Sequence, residues 1–165
     1  MAVNLRAPHA SDQGEFLAAV QRSRRLHRPW TYPPDTPETY VAWLERMQPP
    51  HARSWLVIDD ASGTLAGVFN ISQIVRGPLQ SAYLGYYAFA GHEGQGHMTQ
   101  ALQMVLRAAF GEMKLHRLEA NIQPDNTRSI ALVKRCGFER EGFSPRYLKI
   151  GGRWRDHERW AVVRD

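Results

Sequence analysis

The stretch GHEGQGHMTQAL, residues 91–102, places three glycines directly before an amphipathic pattern. From residue 98 onward, apolar residues recur at offsets of three and four, which is the spacing of one helical face. Glycine leaves the backbone bare, and the first amides of a helix lack intrahelical partners. Such a loop therefore presents N–H groups to an anion at the positive end of the helix dipole. A tight turn without a ligand is the alternative that this segment leaves open.

Strands and helices are predicted upstream of this loop. Three closely spaced strand-like segments predict an antiparallel meander: residues 54–60, 65–75 and 81–90. One helix is predicted to begin after Ser11, and a second is predicted after Thr36, with Pro37 in its first turn. The four prolines of HRPWTYPPDTPE, residues 27–38, predict an ordered, non-helical segment between these helices.

Downstream of the loop helix, a strand is predicted at residues 117–122 and a helix at residues 127–136. Asp125 or Asn126 is expected to cap this helix, and Gly137 is expected to close it. The last segment predicts two strands joined at Gly151-Gly152. No repeat or linker interrupts the chain. The order of elements predicts one α/β (α+β) domain with a mixed sheet over residues 1–165.

Composition sets limits on the class of protein. The 165 residues suffice for one hydrophobic core, and contents of 43% hydrophobic and 22% charged residues are those of a globular domain. No apolar run is long enough for a membrane helix and no secretion signal is evident, so a cytoplasmic location and no membrane partner are expected. The net charge of +5 suits a polyanionic ligand. Nucleic acid, a phosphorylated cofactor or a ribosome-associated target would each suit this charge, but no nucleic-acid-binding motif is present, so direct contact with nucleic acid is not expected.

Two common phosphate-binding patterns can be tested against the loop. The P-loop needs a Gly-Lys pair, which the chain lacks. The dinucleotide fingerprint is matched at Gly94 and Gly96 but not at Thr99, although Glu119 stands where a ribose-binding acid would lie. A dinucleotide fold also requires repeated βαβ units, whereas an antiparallel meander precedes this loop. Both readings are therefore rejected.

The segment HEGQGHMTQAL resembles the acetyl-coenzyme A loop of the GNAT N-acetyltransferases, Gln/Arg-x-x-Gly-x-Gly/Ala. On that pattern Gly96 is the fixed glycine, Met98 takes the Gly/Ala place, and Glu93 replaces Gln or Arg. The segment DNTRSIALVKRCGFEREGF, residues 125–143, resembles the Asn-x-x-Ser…Gly-Phe-x-x-Glu-Gly run of the same superfamily. With YLKIGGRWRDHERWAV, the chain is most similar to the Rim-type N-terminal alanine/serine acetyltransferases of ribosomal proteins. The likeness is clear in the C-terminal half and rests on element order in the N-terminal half.

The resemblance implies a single GNAT-like domain whose two central strands, residues 81–90 and 117–122, splay into a V. It implies that a primary amine attacks the thioester of acetyl-CoA, held as co-substrate, without a metal. A backbone N–H within residues 88–90 is the expected oxyanion donor. The residues implied to bind the cofactor are Ala88, Phe89, Gly94, Gln95, Gly96, His97, Met98, Thr99, Asn121 and Asn126.

Two residues are candidates for protonating the departing sulfur. Ser129 matches the serine of Asn-x-x-Ser, and the resemblance implies that it approaches the thiol. A serine that only bonds its own helix backbone is the alternative. Tyr147, in the penultimate strand, is the second candidate, with simple packing as its alternative.

Several groups are candidates for removing a proton from the amine. Glu119 in the strand beside the gap could act through water, unless its side chain faces outward. His27 and His157 could also serve, although histidines near arginines are expected on the surface. His92 and His97 flank the loop and could assist an anion when protonated.

Cys136 is expected to be a small core residue, because it has no His-Asp partner in sequence. No Cys/His cluster stands at metal-ligand spacing, so no metal is expected. The acceptor side is expected to come from residues 22–34 and the turn at Gly151-Gly152. The resemblance implies a protein N-terminus, such as that of a ribosomal protein, as the acceptor. A small-molecule or antibiotic amine, or a non-catalytic acyl-CoA sensor, is the alternative, and the chain is expected to be a monomer or homodimer.

Overall fold

The computed structural model describes residues 2–165 and contains the meander predicted ahead of the glycine loop. The strands are β1 (Val3–Arg6), β2 (Arg53–Asp59), β3 (Leu65–Val75), β4 (Ser81–Ala88), β5 (Arg117–Ile122), β6 (Glu139–Ile150) and β7 (Arg153–Val163). The helices are α1 (Gln13–Arg22), α2 (Arg24–His27), α3 (Pro37–Arg46), α4 (His97–Phe110) and α5 (Thr127–Arg135). None of these helices is long and apolar enough to cross a bilayer.

The seven strands form one mixed sheet in the order β1-β2-β3-β4-β5-β7-β6. All neighbours are antiparallel except β4 and β5, which are parallel. The predicted mixed, mostly antiparallel α/β fold is therefore confirmed. The sheet is continuous, but its two central strands are joined by the shortest ladder, which determines where a ligand can enter.

The first segment of the chain differs from the prediction. Strand β1 was not predicted, and it pairs with β2 at the edge of the sheet. The predicted cap Ser11 lies inside a short 3-10 turn, Ala10–Asp12, and α1 begins at Gln13. Asp12 explains this shift, because its carboxylate accepts from the Arg6 guanidinium at 2.9 and 2.6 Å and from the His9 amide at 2.8 Å. That ion pair ties β1 to α1 and lowers the pKa of Asp12.

The other predicted helix ends are confirmed. Thr36 caps α3 by accepting a hydrogen bond from the Thr39 amide at 3.1 Å, with Pro37 in the first helical position. Asn126 caps α5. At the other end of α5, Gly137 has a φ of 90°. Its N–H and that of Phe138 close a Schellman motif on the last turn of the helix.

Helices cover both faces of the sheet. One core joins α4 and α5 to the face that carries Trp55 and Val57, and the other joins α1 and α3 to the face that carries Leu56 and Ile58. This alternation along β2 follows from the two-residue period of a strand. We call the α4–α5 face the donor side and the α1–α3 face the acceptor side.

Candidate active site

The two central strands part after a short common ladder. Strands β4 and β5 pair only at Ser81–Tyr83 with Arg117–Glu119, and both continue beyond those residues without pairing to each other. The expected V-shaped splay is therefore confirmed. A cleft of about 580 Å³ opens at the splay and is lined by residues of both sheet faces.

The glycine loop lies at one end of this cleft, on the donor side. Gly94 and Gly96 have φ values of 73° and 74°, which L side chains rarely adopt. The first backbone bond of α4 runs from the Gln100 amide to the Gly96 carbonyl at 3.1 Å. Among the described residues, no amide from 94 to 99 donates to another group of the protein. A side chain added at either glycine would meet no protein atom within 4 Å, so the loop forms an open cradle of N–H groups.

Glu93, the departure from the family pattern, folds back on its own loop. Its carboxylate accepts from the Gly91 amide at 3.0 and 3.2 Å, and backbone amides lower its pKa. Two cations of α5, Arg128 and Arg135, also line this end, and Arg135 Nε donates to Thr99 Oγ1 at 3.3 Å. The sequence analysis missed both arginines. They place positive charge beside the cradle where the Gln or Arg of the pattern is absent.

A cluster of one carboxylate and two imidazoles lies behind the loop, and the spacing of these residues in the sequence did not predict it. Asp59, His92 and His97 bring one ligand atom each within 4.8 Å of one another. The Asp59 carboxylate also accepts from Ser62 Oγ at 2.7 Å and lies 3.2 Å from His97 Nε2, while His97 Nδ1 is buried without a partner. A metal-ligating histidine normally has a partner for its second nitrogen. The cluster therefore fits an interaction that holds the loop to β2 better than a metal centre.

The end of β4 leaves one amide directed into the cleft. The Phe89 N–H donates to the Ala66 carbonyl at 2.9 Å, and the Ala90 N–H donates to Ser23 Oγ at 2.9 Å. Ala88 faces Gly67 in the intervening, non-hydrogen-bonded position of the ladder, so its N–H points away from β3. Of the three amides expected to include an oxyanion donor, only that of Ala88 is directed at the cleft.

Ser129 lies in the first turn of α5, where its N–H is capped by Asn126 Oδ1 at 3.4 Å. Its hydroxyl is 2.5 Å from the hydroxyl of Tyr86, a β4 residue that the sequence analysis did not single out. Burial raises the pKa of Tyr86, which keeps the phenol protonated. The two hydroxyls line the cleft from the donor side and form a pair capable of passing a proton.

The structure does not bring Glu119 and Tyr147 into the cleft lining. Glu119 stands on the paired part of β5, where it accepts from Arg117 at 2.8 Å and from Asn121 at 3.3 Å. Tyr147 places its hydroxyl 3.3 Å from that of Tyr83, and this contact raises the pKa of Tyr83 to about 12. Glu119 lies toward the closed end of the V, because β4 and β5 still pair there.

The expectation that His27 and His157 are surface residues is wrong. Each is only 3% exposed, and both line the cleft. His27 Nε2 donates to the Ala88 carbonyl at 2.6 Å, and its Nδ1 is buried without a partner. His157 Nδ1 donates to the Arg155 carbonyl at 2.9 Å. Burial lowers the pKa of both histidines.

The other residues predicted to bind the cofactor can be located relative to the cleft. Every member of that set except Gln95 lines the cleft. His97 differs in its side chain, which turns to Asp59 and leaves only its backbone amide in the cradle. Cys136 is buried, with its Sγ 3.9 Å from the Thr99 carbonyl, and burial raises the pKa of its thiol. A raised pKa opposes thiolate formation, as expected of a core cysteine.

The acceptor side is assembled from both ends of the chain. The Tyr32 ring lies over Gly151 in the β6–β7 turn so closely that a side-chain carbon at Gly151 would be 2.5 Å from it. The Arg28 guanidinium stacks on the Tyr32 ring, 4.8 Å from the ring centre. Gln123 Nε2 donates to the Trp30 carbonyl at 3.3 Å and so joins this segment to the end of β5.

Comparison with known proteins identifies the class. The acetyltransferase (GNAT) domain matches residues 2–139, and the chain belongs to this family. It is 38% identical over 124 residues to the probable N-acetyltransferase YjcK of Bacillus subtilis (strain 168), covering 75% of this chain and 67% of that protein. It is 32% identical over 167 residues to the ribosomal protein uS5-alanine N-acetyltransferase of Escherichia coli (strain K12), covering 96% and 86%.

A solved structure gives the same assignment. Mycobacterium smegmatis RimJ in complex with CoA-disulfide superposes with a TM-score of 0.89 at 28% identity, covering 98% of this chain and 81% of that one. The protein is thus an N-acetyltransferase of the GNAT fold, and its relatives include enzymes named for ribosomal-protein acetylation.

Proposed function

We propose that this protein transfers the acetyl group of acetyl-CoA to the N-terminal α-amino group of a protein, with ribosomal proteins as the favoured substrate class. The observation that carries this proposal is a single cleft that crosses the sheet from six unpaired loop amides to an acceptor side without a carboxylate. The similarity to the E. coli enzyme named for uS5 alanine supports the substrate class. The prediction of a cytoplasmic location accords with that class.

The donor side fits a coenzyme A diphosphate. The amides of residues 94–99 can donate to phosphate oxygens at the start of α4, where the helix dipole also favours negative charge. Arg128 and Arg135 add two cations beside those amides. Strand β4 does not pair with β5 beyond Tyr83, so its later residues present a free strand edge to which the amides of an extended arm can bond. The bound thioester supplies the activated acetyl group.

Protonation of the sulfur is assigned to the hydroxyl pair. When Tyr86 donates to Ser129 Oγ, the Ser129 proton is free to bond to a thiolate in the cleft. The buried phenol remains protonated and can replace that proton. The Ala88 N–H is the donor available to the developing oxyanion.

The acceptor side favours an α-amine over a polycationic amine. Its cleft-lining residues include Leu26, His27, Trp30, Thr31, Gln123, Leu148, Ile150 and His157. Among residues 2–165, Glu93 is the one carboxylate that lines the cleft, and it lies in the glycine loop. A polyamine would bring further positive charges, which need opposite charges to offset their desolvation. A protein N-terminus brings one amine and a neutral backbone.

The test is acetyl transfer to matched acceptors. Purified protein and acetyl-CoA are offered a peptide that begins with Ala or Ser, the same peptide with a blocked N-terminus and an internal lysine, and spermidine. Thiol release and mass spectrometry are expected to show transfer to the free N-terminus alone. Turnover of spermidine but no peptide would replace the proposal with a small-amine transferase. CoA binding without turnover of any acceptor would indicate a sensor.

A further inference from the structure

Among the cleft-lining groups, His157 combines burial with a nitrogen that remains accessible. Its Nδ1 donates to the Arg155 carbonyl, so the neutral ring carries its lone pair on Nε2. Within the described residues, His157 Nε2 has no hydrogen-bond partner. This nitrogen is nevertheless not fully buried. His27 provides the contrast, because its free nitrogen is sealed from the cleft by the surrounding protein.

The position of His157 on β7 places it on the acceptor side. Trp160 and Val162 belong to the core beneath α4 and α5, so His157, at odd spacing from them, faces the opposite side of the sheet. Glu158 pairs with Ile122, the last residue of β5, and His157 lies one residue beyond that pair. It therefore stands at the open end of the V, across the sheet from Ser129 and Tyr86.

We infer that His157 is the catalytic base of this enzyme and that it selects α-amines over lysine-type amines. Its Nε2 takes one proton from the acceptor ammonium. The amine nitrogen then forms the bond to the acetyl carbon, the carbon–sulfur bond breaks, and the second amine proton reaches the sulfur. His157 returns its proton to water, so one proton is released for each amide formed. This inference rests on the proposed function for the identity of the amine.

The selection follows from acidity. An N-terminal ammonium has a pKa of about 8, whereas a lysine ammonium has a pKa of about 10.4. Burial lowers the pKa of His157, while its bond to the Arg155 carbonyl and the charge of Asp156 partly oppose that shift. A weak base of this kind can accept a proton from the first ammonium far more readily than from the second.

The groups around His157 do not stabilise its charged form by an ion pair. Tyr147 of β6 lies against it, with ring centres 6.3 Å apart. Arg155 and Asp156 flank it on its own strand, and His27 of α2 lines the same cleft. No carboxylate among the cleft-lining residues of the acceptor side contacts it, so no ion pair holds the ring in its charged form.

The deciding variant is His157→Asn, because an Asn amide can still donate to the Arg155 carbonyl but offers no basic nitrogen. His51→Asn, on an exposed turn, is the matched control. For His157→Asn we expect kcat at pH 7 to fall by about 100-fold, in the range of general-base catalysis. Its pH optimum should move upward toward the pKa of the free α-amine. Calorimetric affinity for CoA and the Tm should remain those of the wild type.

Three further readouts separate a base from a packing residue. The wild type should prefer an α-amine over an internal lysine by at least about 100-fold in kcat/KM, which matches the acidity gap. Imidazole should restore part of the activity of His157→Ala. A His157→Asn enzyme with kcat within twofold of wild type and an unchanged acid limb in its pH profile would overturn the inference. If the wild type acetylates no amine, the proposed function fails, but slow hydrolysis of acetyl-CoA still tests His157: equal hydrolysis by wild type and His157→Asn overturns the inference.

Discussion

The donor and acceptor sides of the cleft are built in different ways. On the donor side, consecutive backbone amides from Gly94 to Thr99 form the cradle, and only α5 adds side chains to it. On the acceptor side, α2, the Trp30-Thr31 pair, β6 and β7 contribute one or two side chains each. A backbone cradle suits a ligand that is the same in every relative, whereas a side-chain surface can change with the substrate. The two sides should therefore respond differently to substitution.

The largest effect is expected at Gly96. Gly96→Val forces a β-branched residue to a φ of 74° and places its side chain in the open cradle. Loss of two charge-assisted hydrogen bonds should weaken CoA binding by at least about 100-fold. Gly77→Val is the control, because Gly77 has a φ of 67° and equally open surroundings in the β3–β4 turn. Calorimetry should show both variants destabilised by about 1–2 kcal/mol but only Gly96→Val impaired in binding. Equal CoA affinity in the two variants would contradict the cradle.

The next effect tests the hydroxyl pair between the two sides. Ser129→Ala should lower kcat by about 30-fold with little change in CoA affinity, since a proton donor acts in the transition state. Tyr86→Phe should lower kcat by less, because Ser129 keeps its own proton. The double variant should be no slower than Ser129→Ala, because the two groups act as one unit. Additive losses in steady-state kinetics would show that the hydroxyls act independently.

An intermediate effect is expected on the acceptor side. Tyr32→Ala removes the ring that covers Gly151 and should raise KM for the peptide by about five- to tenfold, the equivalent of 1–1.4 kcal/mol. CoA affinity should not change, because Tyr32 does not line the main cleft. Tyr32→Phe keeps the ring and is the matched control. A loss of CoA affinity in Tyr32→Ala would show that the two sides are not separable.

The smallest effect concerns stability and pH. Burial lowers the pKa of His27 below its ordinary 6.5 in the folded state, so the unfolded chain binds more protons in that window. Stability contributed by the neutral ring is thus complete above pH 6.5 and is lost as the pH falls below it. In His27→Gln, the Gln amide can still donate to the Ala88 carbonyl but does not titrate. Between pH 7 and pH 5, the Tm of both proteins should fall. The decrease for His27→Gln should be smaller than that for the wild type by on the order of 2 °C. Identical slopes would show that folding does not lower the pKa of His27.

The sequence predicted the local structure of the donor side well, because the relevant signals lie within short segments. The positive φ at Gly96, the cap at Asn126 and the apolar stripe of α4 are properties of short segments. The confirmed hairpin at Gly151-Gly152 has the same origin. The splay was implied by the resemblance to the GNAT family rather than by a local signal in the sequence.

The features that sequence analysis missed depend on contacts between distant residues. Tyr86 and Ser129 are 43 positions apart, and neither segment indicates the other. The burial of His157 depends on the acceptor-side packing, which proximity to arginines in sequence does not reveal. Glu119 lies in the predicted strand, but residues 117–122 alone do not reveal that β4 still pairs with β5 at Glu119 and keeps it out of the cleft. Strand β1 is only four residues long, too short to give a clear periodic pattern.

The contact between Tyr32 and Gly151 joins parts of the gene that lie far apart. A recombination event that exchanged only the last part of the coding sequence would bring in a turn that was not shaped against this aromatic ring. The imported turn would either leave the ring without a surface to cover or collide with it. We therefore expect successful transplants of acceptor preference between such enzymes to carry both segments together, while the glycine loop stays with the host.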